Sequence, residues 1–182
     1  GDYLAVGARQ EDTSGSQAGS VYIFKKDDGS ETWTQQTKLQ ASDVSAAAQF
    51  GMAVSLSGTT LAVGANAEDT AASDAGAAYI FERSGTTWTE VKKITASDTQ
   101  ASDYFGESIS TDGITTFVGA WGEDTKGSNA GAAYVFEKGP NPTTPSLTFD
   151  GNNKLTVTNF DSTSKEWPPP RPWTTPATTT DS

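Results

Sequence analysis

The 182-residue sequence contains no cysteine and no histidine. The lack of cysteine excludes disulfide frameworks, thiolate nucleophiles and cysteine-ligated zinc. The lack of histidine removes the commonest general base at neutral pH, together with the Ser-His-Asp class of hydrolase and histidine-ligated metals. Only carboxylates, lysine, tyrosine and the serine and threonine hydroxyls are left to carry chemistry.

Positive charge and long apolar stretches are also scarce. The 12 basic residues against 23 acidic ones give a formal net charge of −11. We therefore expect neither nucleic acid nor an anionic bilayer as a partner, because both attract cationic surfaces. No apolar run approaches the length of about 18 residues that a membrane-spanning helix needs. The chain begins with Gly1-Asp2-Tyr3, without a methionine or a signal peptide, which indicates a processed chain or a fragment.

What the sequence contains instead is a repeat. Three segments are nearly identical: VGARQEDTSGSQAGSVYIF at 6–24, VGANAEDTAASDAGAAYIF at 63–81 and VGAWGEDTKGSNAGAAYVF at 118–136. The glycines that precede them recur at nearly constant spacing, which indicates tandem supersecondary units. We therefore predict three repeat units within residues 1–139, with these boundaries: 1–57, 58–112 and 113–139.

The complete unit has four strand-like stretches, at roughly 51–57, 60–65, 77–83 and 87–95, joined in pairs by glycine-containing turns. The second and third stretches are apolar on consecutive residues, as in strands that are covered on both faces. Several charges interrupt the fourth stretch, which is typical of an outer edge strand. Trp88 and Ile94 lie six residues apart in it and are expected to share a face.

A four-stranded antiparallel unit with small residues on an inner strand and charge on the outer strand is typical of a β-propeller blade. We therefore predict an all-β fold of tandem four-stranded antiparallel propeller-like blades, of which the first and last are incomplete. A solenoid-like or sandwich arrangement of the sheets is the alternative. The aromatic pairs of the third strands are expected to pack between blades: Tyr22 and Phe24, Tyr79 and Phe81, and Tyr134 and Phe136.

The motifs of the repeat carry a resemblance. The dipeptide FG that opens a strand at 50–51 and 105–106, followed by VGA and AGAAYIF, resembles the FG-GAP repeat of integrin α-subunit propellers, and more closely its bacterial and protist relatives. The resemblance runs from about residue 1 to 138, and it implies an extracellular protein that serves adhesion, ligand binding or surface architecture. Integrin blades carry an Asp-x-Asp-x-Asp-Gly calcium loop between their first two strands, whereas LSGTT and TDGIT stand there in this chain.

The ends of the repeat array are predicted to be incomplete. The first copy lacks its first strand and the third copy lacks its fourth, and three blades are too few to close a propeller ring, which takes about four to eight. Residues 140–166 are predicted to form a linker and an extra hairpin of strands 146–149 and 155–160. This hairpin could complete the chain's own third blade or donate a strand to a neighbour through the following residues: Leu147, Phe149, Leu155, Val157 and Phe160.

Residues 167–182 form a tail rich in proline and threonine, for which an extended polyproline conformation is expected. Proline beside threonine indicates O-glycosylation or proline hydroxylation, with a plain solvated linker as the alternative. The candidate modified residues are Pro168, Pro169, Pro170, Pro172, Thr174, Thr175, Pro176, Thr178, Thr179 and Thr180.

Two kinds of candidate site stand in the repeats. Asp12, Asp69 and Asp124 lie in the Glu-Asp-Thr motif of each copy and are candidate Ca²⁺ ligands, although recurrence in every copy favours a turn-capping role. No cofactor besides Ca²⁺ is expected. We expect Asp43 and Asp98 to be turn caps as well. Trp121 stands near the positions of Gln10 and Asn66 in the other copies, and it is a candidate ligand-binding or interface residue.

These observations favour a role without catalysis, because every acidic pair is repeated whereas catalytic sites in propellers are asymmetric. We expect a secreted or surface-displayed structural or adhesive protein, the subunit of a filament in which copies join head to tail by β-strand complementation. The alternative is a fragment of a larger glycan- or ligand-binding propeller, whose partners are the neighbouring blades of a longer chain.

Overall fold

The computed structural model describes residues 1–138 and, for the backbone alone, residues 155–160. Within these segments there is no helix, and eleven strands form three small sheets. In chain order the strands are β1 (Tyr3–Ala8), β2 (Ser20–Lys26), β3 (Trp33–Leu39), β4 (Val54–Ser57), β5 (Thr60–Ala65), β6 (Ala77–Ser84), β7 (Thr87–Ile94), β8 (Phe105–Thr111), β9 (Thr115–Ala120), β10 (Ala132–Lys138) and β11 (Leu155–Phe160). The predicted all-β fold is confirmed.

Each sheet corresponds to one copy of the repeat, and we call the sheets the first, second and third blades. Their strand orders are β1-β2-β3, β4-β5-β6-β7 and β8-β9-β10-β11. In the second blade, tight turns at Gly58 and Gly85 join antiparallel neighbours, and both glycines have the positive φ (59° and 60°) that such turns favour. The charged strand β7 lies at the outer edge, as its sequence predicts.

The third blade differs from the predicted antiparallel unit in its outermost strand. β11 pairs with β10 in parallel, with Ala133 opposite Leu155 and Lys138 opposite Phe160. A tight hairpin can join only antiparallel strands, whereas the residues 139–154 that separate β10 from β11 are enough for the crossover that a parallel pair requires. Of the two alternatives left open by the sequence, the chain thus places this strand in its own third blade.

Neighbouring blades pack face to face, and the second blade is covered on both sides. Alternate residues of β5 and β6 point in opposite directions, so Leu61 and Tyr79 pack against the first blade while Ala62 and Ile80 pack against the third. The predicted aromatic packing is present: the Phe50 ring lies edge to face with Tyr79, at 5.4 Å between ring centroids. Each such fully buried side chain stabilises the fold by about 1.5–3 kcal/mol.

Glycines allow the inner strands of adjacent blades to approach closely. Gly106 of the third blade has φ +96°, and its backbone lies directly against Gly64 of the second. A methyl group on Gly64 would overlap the Gly106 carbonyl oxygen, and Gly7 and Gly51 repeat the arrangement between the first and second blades. The VGA and FG motifs therefore form one blade-to-blade contact.

The prediction that Trp88 and Ile94 share a face was wrong. The register of β6 and β7 shifts between Ile80 and Phe81, which leaves Val91 as an extra, bulged residue. A bulge reverses the in-out alternation beyond it. Trp88 therefore packs into the core between the first and second blades, whereas Ile94 packs into the core between the second and third.

Several predicted features lie outside the described residues. They are the linker from residue 140 onward except for the strand at 155–160, the assembly residues Leu147 and Phe149, and the Pro/Thr-rich tail with its candidate modification sites between Pro168 and Thr180.

Candidate functional site

The loop between the second and third strands of each sequence repeat has the same backbone in all three blades. The carbonyl oxygens of Glu11, Glu68 and Glu123 accept hydrogen bonds of 2.9 Å from the amides of Gly19, Gly76 and Gly131. Within each loop the aspartate after the glutamate accepts a hydrogen bond from an amide five residues later. The three donor residues, Gln17, Asp74 and Asn129, have the left-handed φ values 53°, 51° and 49°.

The candidate metal ligands Asp12, Asp69 and Asp124 are the acceptors of these bonds. Each is exposed and lies in a different blade. In the described part of the chain, no group of three or more acidic side chains is arranged to hold a metal ion. These carboxylates stabilise left-handed turns, and calcium binding by them stays a prediction.

A second feature of the same loops is a pocket of oxygen atoms around a lysine. In the second blade, Lys93 Nζ lies 2.6 Å from Asp43 Oδ2, 3.1 Å from Glu68 Oε1 and 3.2 Å from Thr70 Oγ1. The ammonium also lies 5.5 Å from the centre of the Tyr79 ring, a favourable cation–π geometry. The Tyr79 hydroxyl donates a hydrogen bond of 2.8 Å to Asp43 Oδ1. We call the set Asp43, Glu68, Thr70 and Tyr79 the ammonium cage.

The electrostatics of the cage follow from burial and charge. Glu68 is fully buried, and a buried carboxylate is costly unless a cation compensates it. Burial alone would lower the pKa of Lys93, but Asp43 and Glu68 outweigh it and the pKa is raised. Burial raises the pKa of Asp43, yet the hydrogen bonds from Lys93 and Tyr79 outweigh it, so that pKa is lowered. Burial, and then the nearby Asp43 carboxylate, raise the pKa of Tyr79.

The first blade repeats the cage without its aspartate. Lys38 Nζ lies 2.9 Å from Glu11 Oε2 and 6.0 Å from the centre of the Tyr22 ring. The Thr13 hydroxyl donates a hydrogen bond to Glu11 Oε1, as Thr70 does to Glu68. The hydrogen bond from Thr13, followed by the one from Lys38, lowers the pKa of Glu11 to about 2.

The third blade has the cage residues Asp98, Glu123, Thr125 and Tyr134 without a lysine at the corresponding position. Tyr134 donates a hydrogen bond of 2.8 Å to Asp98 Oδ1, and the Thr125 amide donates one of 2.9 Å to Glu123 Oε1. However, the residue opposite Tyr134 is Thr156, whereas Lys38 stands opposite Tyr22 and Lys93 opposite Tyr79. Glu123 is 0% exposed. No ion pair involves it among the described residues, and its Oε2 atom is buried without a hydrogen bond.

Asp43 and Asp98 were expected to cap turns, and the structure gives them a different role. Both lie in connections that lead from one blade to the next, and both carboxylates accept hydrogen bonds from a tyrosine hydroxyl of the following blade. They therefore join consecutive blades through a buried tyrosine.

Trp121 is exposed and stacked on a neighbouring aromatic ring. Its ring lies 5.0 Å from that of Tyr104 at an interplanar angle of 8°, and the residue is 52% exposed. The pair is a flat aromatic surface in the third blade.

The glutamates of the cages were missed by sequence reasoning, which weighed the aspartate of the Glu-Asp-Thr motif. A usable signal was present, because Lys38-Leu39 and Lys93-Ile94 recur in phase with Glu11 and Glu68. The Glu-Asp-Thr motif alone could not predict that the glutamate is buried, since the sequence of a loop rich in glycine, serine and alanine does not distinguish a buried glutamate from a solvent-exposed one.

Comparison with known proteins identifies the repeat. The model of the FG-GAP repeat matches residues 33–81 and 88–136. Each match begins at the outer strand of one blade and ends in the third strand of the next copy. A search of curated proteins finds no match. No helix long and apolar enough to cross a membrane occurs within the described residues. FG-GAP repeats build β-propeller-like domains that are typically extracellular, of the adhesion type and non-enzymatic. Because the matched segments cover more than half of the chain, this protein belongs to the FG-GAP repeat family.

Proposed function

We propose that this chain is a non-enzymatic structural or adhesive protein of the extracellular space that assembles head to tail with further copies of itself into a filament. The observation that carries the proposal is that the first and third blades expose the two halves of an interface that the chain forms twice within itself. Repeat units of this kind bury their apolar faces against neighbouring units, and an apolar face that stays bare favours a partner.

On the first blade, the exposed half of this interface is the face that points away from the second blade, and we call it the head face. It carries Leu4 and Val6. Leu4 is 45% exposed, whereas Leu61 at the same position of the second blade is 0% exposed. Val6 is exposed as well, whereas the equivalent Val63 is fully buried.

On the third blade, the exposed half of this interface is the face that points away from the second blade, and we call it the tail face. Phe117 on this face is 38% exposed, whereas Ala62 at the same position of the second blade is 0% exposed. Gly64 of the second blade lies against the next blade's Gly106, but the nearest described atoms around Gly119 all belong to Ser108 of its own sheet. The tail face therefore keeps the glycine at which another blade docks.

A head face on a tail face repeats the contact between the first and second blades. Because the two faces differ, such a contact leaves a free face at each end of the pair and propagates as a filament or a ring. The same contact leaves room for an added strand beside β1. Among the described strands β1 pairs only with β2, whereas the equivalent β5 pairs with β4 as well as β6. The predicted donor is the segment with Leu147 and Phe149.

Sedimentation velocity of the full chain at increasing concentration tests this proposal, with electron microscopy of the same samples. For the unmodified chain, the sedimentation coefficient is expected to increase with protein concentration, and fibres are expected in the micrographs. Val6→Lys and Phe117→Lys should each abolish growth, because a lysine in an apolar contact is costly to desolvate. A mixture of the two variants should stop at 1:1 pairs, since it contains one intact head face for each intact tail face.

Ile114→Lys is the matched control, because Ile114 is exposed in the turn between β8 and β9 and its variant should still assemble. A chain that stays monomeric at every concentration, or variants that still form long assemblies, would contradict the proposal.

The stacked pair of Trp121 and Tyr104 favours a second candidate function, glycan binding by a propeller of which these blades are a part. An exposed tryptophan held flat by a second ring is suited to stacking on a sugar. A glycan array with millimolar calcium tests it: binding that Trp121→Ala abolishes supports the second function, and an empty array counts against it.

A further inference from the structure

We propose that the contact between two copies of this chain includes an ion pair between Lys26 on the head face of one copy and Glu137 on the tail face of the next. The inference rests on the proposed head-to-tail assembly and deepens it, because it names the charged residues that decide which faces meet. It is carried by an ion pair that the chain already forms between its own second and third blades.

The internal pair joins the ends of β6 and β10. Lys138 Nζ lies 2.5 Å from Glu82 Oε1, and the Thr60 hydroxyl donates a hydrogen bond of 2.9 Å to the same oxygen. The side chains of Lys138 and Glu82 are 30% and 19% exposed. A partly buried pair is screened less by salt than a surface pair, so it contributes more to the contact between two blades.

Glu137 occupies on the third blade the position that Glu82 occupies on the second. Glu82 stands opposite Thr60 in the pairing of β5 with β6, and Glu137 stands opposite Thr115 in the pairing of β9 with β10. Ile80, two residues before Glu82, packs against the third blade, and residues two apart on a strand share a face. The corresponding face of the third blade is the tail face, so Glu137 lies on it.

Lys26 occupies on the first blade the position that Lys138 occupies on the third. The segments YIFKK at 22–26 and YVFEK at 134–138 align residue for residue. Lys138 reaches back to the preceding blade, so Lys26 points away from the second blade and lies on the head face.

The surroundings of Lys26 also indicate a contact that is not made within the described chain. Lys26 stands opposite Trp33, which is 39% exposed, whereas Trp88 at the same position of the second blade is 8% exposed. The described partner of Lys26 is Glu31, whose side chain is 94% exposed. Such a surface pair contributes little, and Lys26 can exchange it for a carboxylate that is held in an interface.

The repeat does not impose opposite charges at these two positions. Between the first and second blades, Lys25 stands at the position of Glu82 and Arg83 at the position of Lys138. These two charges are alike, and the Arg83 guanidinium lies over the Tyr3 ring instead, at 4.1 Å from its centre. The signs therefore vary from one contact to another, and they can select a partner.

The signs on the two outer faces favour one orientation of assembly. A head face carries Lys26 and a tail face carries Glu137, so a head on a tail brings opposite charges together. Two head faces both carry the lysine, and two tail faces both carry the glutamate. Complementary charges of this kind determine which surfaces associate more than how tightly they bind.

Charge reversal on the full chain tests the inference, with association measured by sedimentation velocity and folding by thermal unfolding. Lys26→Glu and Glu137→Lys should each weaken association at least tenfold and leave Tm nearly unchanged, because each places like charges in the contact between copies. An equimolar mixture of the two variants should restore assembly, since the reversed head of one variant fits the reversed tail of the other.

The matched control is Lys25→Glu, which changes the net charge as Lys26→Glu does but lies on the face turned towards the second blade, and it should assemble like the unmodified chain. If the unmodified chain assembles and the reversals do not weaken it, or their mixture does not restore assembly, the ion pair is refuted while the filament stands. A partner of Glu137 within its own chain would show as a lower Tm of Glu137→Lys without rescue in the mixture, which also overturns the inference. An unmodified chain that stays monomeric overturns both proposals.

Discussion

The second and third blades share a strand order and a loop, but within the described residues only the second places a lysine beside the buried glutamate of that loop. The acceptors lie in the repeated loop, in the third strand and in the connection from the preceding blade, whereas the ammonium of Lys93 comes from the outer strand. Each segment matched by the family model runs from an outer strand into the following blade, and the second match ends at residue 136. Repetition thus supplies the loop glutamate and the third-strand tyrosine to every blade, while the lysines of the first and second blades come from their outer strands.

The faces of the same two blades teach a related lesson. Both faces of the second blade are covered, and glycine is required where a neighbour's backbone approaches. The third blade has small residues, Gly119 and Ala133, at the corresponding positions. However, no other blade among the described residues packs against them as the third blade packs against Gly64. The small residues of a strand therefore indicate where another blade can pack against it.

The largest expected effect sharpens this comparison of faces. Gly64→Ala should destabilise the chain by about 3 kcal/mol, because its methyl group would overlap the Gly106 carbonyl oxygen and the two blades would have to separate. Gly119→Ala should cost less than about 1 kcal/mol, since the obstacle there is the rotatable Ser108 hydroxyl. Urea unfolding measures both. Equal losses of stability would mean that the two strands are equally crowded.

Removing the lysine from the second blade is the next largest change. Lys93→Met leaves Glu68 buried without its counter-charge and should destabilise the chain by about 2 kcal/mol, below the usual cost of breaking a fully buried pair because Lys93 is partly exposed. The control is Lys25→Met, since Lys25 makes no ion pair among the described residues and its loss should cost less than about 0.5 kcal/mol. Similar losses for the two variants would show that the cage contributes nothing.

The sequence predicts the repeated part of the fold well. Its regular spacing places the strands of the second blade within one to three residues of their positions, and consecutive apolar residues in β5 and β6 predict their burial on both faces. These features depend on local pattern and on contacts that recur from copy to copy.

The features that the sequence does not predict arise from single, non-repeated events or from tertiary geometry. The bulge at Val91 separates Trp88 from Ile94 although their spacing predicts one face. The parallel pairing of β11 depends on a long connection rather than on a turn motif. Burial of Glu123 follows from the packing of the loop, which residue type alone does not determine.

The smallest expected effects are those of two aspartates on the pH dependence of stability, and they have opposite signs in the second and third blades. In the second blade the pKa of Asp43 is lowered from its ordinary value of 3.8. This group therefore stabilises the fold above that value, and its contribution is lost as pH falls. In the third blade burial raises the pKa of Asp103 above 3.8, so any stability it contributes is fully present below 3.8 and is lost as pH rises through the raised pKa of the folded state.

Asp43→Asn should therefore lower Tm by about 2 °C at pH 7, and Asp103→Asn should raise it by about 1 °C, because asparagine can still accept the Gln100 amide hydrogen bond without a buried charge. Both differences should shrink as pH falls towards 3, because Asp103 becomes protonated in the folded state above 3.8 and Asp43 becomes protonated in the unfolded state near 3.8. Scanning calorimetry between pH 3 and pH 7 measures this. If both variants are destabilised at pH 7, the charge of Asp103 is already compensated in the folded state, and the two blades do not differ in the sign of this effect.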